Sequence, residues 1–402
     1  MEKCSWALQS PQMQDYHDKR WGRACHDERL PKSTQAMTDF ANLVTYAFDK
    51  TLSVLNEEKF HSRYQHGLCF GTYHHDQLTN GLMINLFPSY LNHQKLQMAG
   101  VGYVASDPIY RGQGSIKALF DEVLQYLYEK QVAYAQLAPF SAGFYRQFGF
   151  EEAFYQKQYR FRFDAFERTN FQHDLTLKRG SYEELLADIQ TVYQKAHQGG
   201  LWREDWWWQR LHIYYPNRFY VVIYDEAHPV GYLIYRKMGS TFQVEELIYL
   251  HLNALKASLQ FIKSHQSTFQ EVTICASIQE RLEWLFPEQK RIEIKIRPYM
   301  MKRILHIEQI LAQYEALNSL VIQVTQDDIC SQNVGYWQYH GDSWQKTTTK
   351  EADLSADITT FSALLLGELT VDEAIFTQRL QASAKAQKLK LPSFNQQFFD
   401  YY

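Results

Sequence analysis

The chain has 402 residues, enough for about three domains of ordinary size, and 45% of them are apolar, ample for buried cores. A formal net charge of −4 gives no reason to expect nucleic acid or an anionic membrane as partner, and no stretch approaches the roughly 18 apolar residues of a membrane-spanning helix. Five cysteines without CxxC spacing, and no apolar leader after Lys3, argue for reduced thiols in the cytoplasm rather than a disulfide frame or a zinc site.

Residues 1–23 are polar and aperiodic and read as an extension. Ala24 to Leu30 predicts a short first strand. Ser33 or Thr34 then caps a helix whose apolar face is Met37, Phe40, Leu43, Val44 and Ala47, and a second helical stretch covers Leu52 to Tyr64. Leu68 to Tyr73 and Gly81 to Phe87 flank the polar turn His74 to Asn80 and read as a hairpin. Lys95 to Ala105 has strand character and leads into a loop, Asp107 to Gly114, that holds Pro108, Arg111, Gly112 and Gly114. Beyond it Ile116, Leu119, Phe120, Val123, Leu124 and Leu127 recur with a 3.6-residue period and predict an amphipathic helix. Val132 to Ala138 is the next strand, stopped by Pro139. A short helix, Ser141 to Phe148, ends at Gly149, and Tyr155 to Phe163 alternates as a closing strand.

Strand, glycine loop and helix together present bare backbone N–H groups at a helix N-terminus, an end that favours phosphate. Glycines at 112 and 114 let a ligand approach the backbone, and Arg111 adds a cation. The Walker lysine is absent and the spacing is not GxGxxG, so neither nucleotide hydrolysis nor a dinucleotide fold is indicated. On the glycines alone, an anion site and a plain turn both stand.

The pattern then repeats. Ser181 to Ala196 is helical, and Arg203 to His212 carries Trp206, Trp207 and Trp208, which suit a core better than a pocket. Phe219 to Tyr224 and Gly231 to Lys237 form a second hairpin around Asp225 to Pro229. Phe242 to Tyr249 and Leu252 to His265 repeat the strand and helix, but Leu250 to Asn253 between them has neither glycine nor arginine, so this unit is expected to bind no cofactor. In the last hundred residues Met301 to Leu317 reads as helix, Ser319 to Thr325 and Asn333 to Tyr339 as strands. Leu354, Ala356 and Ile358 alternate, Ser362 to Gly367 is apolar, and Ala382 to Lys390 reads as a lysine-bearing helix.

Arg111-Gly112-Gln113-Gly114-Ser115 resembles the pyrophosphate-binding R/Q-x-x-G-x motif of the GCN5-related N-acetyltransferases (GNAT), with Ser115 and Ile116 where a last small residue is usual. Phe144-Tyr145-Arg146-Gln147-Phe148-Gly149-Phe150, about thirty residues on, resembles the Y-x-x-F-G-aromatic segment of one branch, the enhanced-intracellular-survival (Eis) acetyltransferases. The resemblance implies an α+β chain of two tandem GNAT domains and a sterol-carrier-protein-like α/β domain. The expected bounds are 24–170 for the catalytic domain, 171–298 for the second and 299–402 for the last.

It further implies that acetyl-CoA lies on Val104, Ala105, Ser106, Arg111, Gly112, Gln113, Gly114, Ser115, Ile116 and Lys117, with Phe140 and Ser141 beside the pantetheine arm. Tyr145 takes the position of the general acid, and a phenol suits it because it stays protonated at neutral pH. The main-chain carboxylate of Tyr402 takes that of the base. The implied acceptor is a primary amine of aminoglycoside, polyamine or lysine type. Apart from the resemblance, acidic residues near the first helices, such as Asp49, Glu57 and Glu58, offer charge to attract a cationic amine, although most such residues are merely solvated. The family resemblance also implies a homo-oligomer, a hexamer. His61, His66, His74 and His75 lack H-x-x-x-H spacing, so no metal is expected. The rival reading is a carrier of an apolar ligand, or a scaffold, with a vestigial transferase domain.

Overall fold

The computed structural model of the chain describes residues 25–92, 94–196, 199–392 and 399–401; the extension expected over residues 1–23 lies outside them. Strand β1 (Cys25–Arg29) is followed by α1 (Thr34–Ala47), whose first turn is capped by Ser33: its Oγ accepts from the Ala36 N–H at 3.1 Å. Helix α2 (Glu58–Gln65) leads to a hairpin of β2 (Gly67–His74) and β3 (Gln77–Leu91). The turn expected over His74–Asn80 shrinks to His75 and Asp76, at φ 47° and 64°, because Leu78 and Asn80 are already paired with Tyr73 and Thr72. Strand β4 (Gln94–Ser106), α3 (Ser115–Glu129), β5 (Tyr134–Leu137), α4 (Ala142–Arg146) and β6 (Glu151–Arg162) complete the first unit. Helix α3 buries Leu119, Phe120, Val123, Leu124 and Leu127 among Phe70, Leu82, Ile84, Val101 and Leu137. Each such side chain contributes at most ~1.5–3 kcal/mol.

The second unit repeats the order: β7 (Thr176–Gly180), α5 (Tyr182–Ala196), β8 (Gly200–Leu201), α6 (Asp205–Tyr214), β9 (Phe219–Asp225), β10 (His228–Met238), β11 (Thr241–Tyr249), α7 (Leu252–Lys263), β12 (Glu271–Ser277) and β13 (Ile292–Ile304). One sheet of 13 strands holds both units, in the order β1-β2-β3-β4-β5-β13-β6-β12-β11-β10-β9-β7, with β8 on β3. Its middle is an exchange. Strand β13 from the second unit pairs with β5 of the first, Met301–Ile304 against Leu137–Tyr134, while β6 of the first lies against β12 of the second.

This exchange overturns one expectation. Met301 to Ile304 end a strand and do not begin a helix, and only Ile307–Leu311 (α8) is α-helical in the stretch read as helix. Met300, Met301, Ile304 and Leu305 are all fully buried, and a continuous apolar run reads alike as buried strand or buried helix. The boundary expected between 298 and 299 falls inside β13.

The rest is a five-stranded sheet, β16-β15-β14-β17-β18, made of β14 (Val321–Val324), β15 (Gly335–His340), β16 (Ser343–Lys346), β17 (Leu354–Ala356) and β18 (Gln381–Ala382). Helices α9 (Ile358–Leu366) and α10 (Val371–Phe376) accompany it. The helix expected over Ala382–Lys390 is instead a strand end and turns. Ser383 Oγ bonds Asp353 at 2.7 Å and Ala386 is fully buried, so tertiary contacts override helix propensity there. The core of this region is continuous with Phe87, Met98, Tyr134 and Phe154 of the first unit.

Candidate functional site

Two local features open the first unit's sheet at one point. Tyr103 and Val104 together oppose a single residue of β3, Leu82, which makes a bulge, and Tyr103 sits at φ 50°. The parallel pairing of β4 with β5 stops at Val101 and Leu137. Beyond these residues the two strands part, and Val104, Ala105 and Ser106 border the gap. The chain then turns through Pro108–Tyr110, with Asp107 accepting from the Ile109 N–H at 3.0 Å, and enters α3.

Gly114 is the N-cap of α3 at φ 82°, a conformation that disfavours any residue with a Cβ, and it offers no side chain to cap the helix. The first-turn amides are therefore available to an anion. A Cβ added at Gly112 would meet nothing within 4 Å, so the backbone there borders open space. One residue ties the two flanks of the loop. Ser106 Oγ donates to Asn80 Oδ1 at 2.6 Å, and Asn80 Nδ2 donates to Ser115 Oγ at 2.9 Å, with Asn80 itself buried. Arg111 is exposed and reaches the Ser106 carbonyl at 3.4 Å; Gln113 reaches that of Ile109 at 3.3 Å.

Tyr145 projects from α4, which Ser141 caps by accepting from the Phe144 N–H. Its ring packs among Phe120, Phe140, Phe144 and Phe150, with centroids 5.1–6.2 Å away. Burial, and then the nearby Tyr401 phenol, push its pKa above the ordinary tyrosine value, so the proton is retained. Gly149 ends this segment at φ 77°, and a Cβ there would fall 2.1 Å from Nη1 of Arg303. Arg303 donates to the Phe148 carbonyl and pairs with Asp327 at 2.7 Å, both buried, so β13 of the second unit, backed by Asp327 of the last region, holds the turn that follows the Tyr145 helix.

The second unit has the same bulge and the same parting. Glu245 is the extra residue of β11 against β10, and β11 leaves β12 after Val244 and Ile274. Phe399 lines the cleft there with Leu247, Tyr249, Cys275 and Ser277. Next to it Asp400 is buried. It accepts from Arg203 Nε at 2.9 Å and Nη2 at 3.2 Å and from Trp207 Nε1 at 2.7 Å, while its carbonyl accepts from Tyr299 at 3.2 Å. Arg203 also forks onto Glu246 at 2.8 and 3.1 Å. Burial raises the Glu246 pKa, but the Arg203 charge outweighs it and holds the carboxyl below the usual range. Tyr401 is half-exposed, beside Tyr299, and close enough to Tyr145 to add to the upward shift of its pKa.

Among the expected site residues, Val104 and Ile116 pack against the core that holds Tyr145, Asn80 ties Ser106 to Ser115, and the Phe140 ring lies 5.3 Å from that of Tyr145. Lys117 is engaged with Asp121 at 2.9 Å, and Phe140 is 73% exposed. Tyr402 lies outside the described residues. Asp49 and Glu58 are exposed, and Glu57 pairs with Lys59 at 3.3 Å, so these carboxylates are solvated rather than aimed inward. Of the tryptophans, Trp207 and Trp208 are buried, and Trp206 stacks on His66 and Phe87. Asn80, Arg203, Glu246 and Asp400 carry no sequence signal, since their partners lie up to 197 positions away. Among the described residues no group of three or more His, Cys, Asp or Glu could hold a metal, and no helix is long and apolar enough to cross a membrane.

Residues 31–153 and 199–304 each match an Acetyltransferase (GNAT) domain family, and residues 307–396 match a Sterol carrier protein domain family. No curated protein matches the sequence. Among solved structures, the chain is similar to a conserved protein from Enterococcus faecalis V583 described as "Probable N-Acyltransferase". The two are 30% identical over 94% of this chain and 100% of that one, at a TM-score of 0.83. A GCN5-related N-acetyltransferase from Anabaena variabilis shares the fold at 22% identity and TM-score 0.79, over 94% of this chain and 100% of that one. Eis1 from Mycobacterium abscessus does so at 19% identity and TM-score 0.77, with the same coverage.

Proposed function

The chain belongs to the GNAT acetyltransferases, in the form with two such domains and a sterol-carrier-type domain, and on that footing we propose that it moves an acetyl group from acetyl-CoA to a primary amine. The observation that carries this reading is the uncapped, glycine-fronted start of α3 at the parting of β4 and β5, with a buried, protonated Tyr145 beside it. The diphosphate of the cosubstrate would rest on the amides of residues 112–116 with Arg111, Gln113 and Lys117 around it, and the pantetheine arm between Val104–Ser106 and Phe140–Ser141.

The thioester supplies the activated acyl carbon. The amine nitrogen bonds to that carbon, the C–S bond breaks, and the departing thiolate takes the proton of Tyr145. Backbone amides of the parted strand polarise the carbonyl. The base in this reading is the terminal carboxylate of Tyr402, one residue beyond Tyr401. Acceptors are amines of aminoglycoside, polyamine or lysine type. Membership of the Eis branch, a hexameric assembly and a cytoplasmic setting go with the same resemblance.

Thiol release from acetyl-CoA with a panel of primary amines tests the transfer, and no release with any amine refutes it. Residues added after Tyr402 should abolish turnover while folding survives; a fully active extended protein removes the carboxylate from its role.

A further inference from the structure

Helix α6 carries a second arginine, Arg210, whose side chain is 2% exposed. Its guanidinium lies between two rings of its own helix, with Cζ 4.7 Å from the Trp207 centroid and 5.0 Å from that of Tyr214. Among the described residues neither Nε nor Nη1 has a hydrogen-bond partner, and Arg210 forms no ion pair. A buried guanidinium in that state is costly, and arginine does not escape by losing its proton. The neighbouring carboxylates are committed: Asp400 and Glu246 to Arg203, and Glu245 to Arg218 and Arg236. A further buried cation, Arg63, stands 4.9 Å from the Tyr103 ring with its Nε on Asn85.

The place matters as much as the charge. Burial lowers the Arg210 pKa, and Tyr103, Tyr214, Tyr215 and Asp400 lie near enough to offset part of that. Tyr103 is the bulge residue that precedes Val104–Ser106; Asp400 precedes Tyr401, which acts on Tyr145. Arg210 is therefore bracketed by neighbours of both flanks of the transfer site. Trp207 and Tyr214 flank the guanidinium, its Nε and Nη1 are left without acceptors among the described residues, and an edge-on fork suits a planar carboxylate.

We propose that Arg210 receives a carboxylate of the acceptor, so that the amine acetylated belongs to an amino acid or a peptide-like zwitterion and not to a polycation. This rests on the transferase reading above and, of the acceptor types named there, keeps the lysine type and drops the aminoglycosides and polyamines. A polycation would bring further positive charge towards Arg210 and Arg63, with no inward-facing acid from Asp49, Glu57 or Glu58 to meet it.

The test uses the full chain with saturating acetyl-CoA. Thiol release is followed with ω-amino acids of increasing length and with alkylamines of the same lengths. At the length that bridges the site, kcat/KM for the amino acid should exceed that for the alkylamine by about ten-fold or more, the range of a charge-assisted hydrogen bond. In Arg210→Met that ratio should fall to about one, and Arg210→Lys should keep part of it. Equal rates in the parent protein at every length overturn the proposal without need of any variant. So does a ratio that survives Arg210→Met, or a loss in that variant equal for both series, which would mean that the arginine supports the fold or the tail. If neither series releases thiol, the transferase reading falls and takes this proposal with it.

Discussion

The two acetyltransferase-type units have the same opening in the same place and use it differently. In the first, the bulge at Tyr103–Val104 and the parting after Val101 and Leu137 sit beside a loop whose helix start is bare. In the second, the bulge at Glu245 and the parting after Val244 and Ile274 sit beside a helix start that is closed, because His251 accepts from the Ala254 N–H at 3.3 Å. Its cleft is lined by Phe399 from the chain's own tail, and Glu246, the residue after the bulge, holds the arginine that pins Asp400. A scaffold that parts two strands thus makes a slot. The loop beside it decides whether the slot offers amides to an anion or is left for an aromatic side chain.

The hardest way to break this comparison is to release the tail from the second unit. Arg203→Met leaves Glu246 and Asp400 buried without their cation and should lower stability by about 3–5 kcal/mol. Chemical denaturation measures it, and a loss under about 1 kcal/mol would mean that the second unit does not clasp the tail.

Next in size is Tyr145→Phe in the first unit, expected to reduce kcat by about a hundred-fold, near 3 kcal/mol, with little change in coenzyme affinity. The wild-type pH profile sharpens this. A pKa raised above the ordinary tyrosine value of about 10 keeps the acid loaded, so turnover should not fall on the alkaline side before about pH 10 through loss of this proton. A descending limb near pH 8 that Tyr145→Phe removes would contradict the shift.

The smallest effect is Asn80→Ala, which unties Ser106 from Ser115 in the unit that keeps its loop. A loss of about 1–2 kcal/mol in coenzyme A affinity, read by calorimetry, is expected if the loop is preorganised for that ligand. Unchanged affinity would show that the bridge serves only the strand.

Much of the first unit could be read from residue spacing. The period of Ile116 to Leu127 and the glycines before it are local, and so is the capped helix at Ser141–Arg146 with Gly149 at its end. Contacts that close the molecule from a distance could not be read. Arg203 meets Asp400 across 197 positions, and Arg303 meets Phe148 across 155, with no periodicity to announce either. The run from Met300 to Leu305 misled for another reason. A strand buried on both faces loses the alternation that distinguishes it from a helix. Arg210 escaped notice because a lone arginine among tryptophans reads as a surface residue.

The strand exchange at the centre of the large sheet also sets the order in which the molecule is completed. Strand β5 waits for a neighbour that begins only at Ile292, long after β6 has ended at Arg162. A nascent chain that has emerged as far as its glycine loop and Tyr145 carries an open edge until most of the polypeptide has been translated. A fragment cut between the units would inherit that open edge permanently, an invitation to pair with other chains rather than a smaller working enzyme.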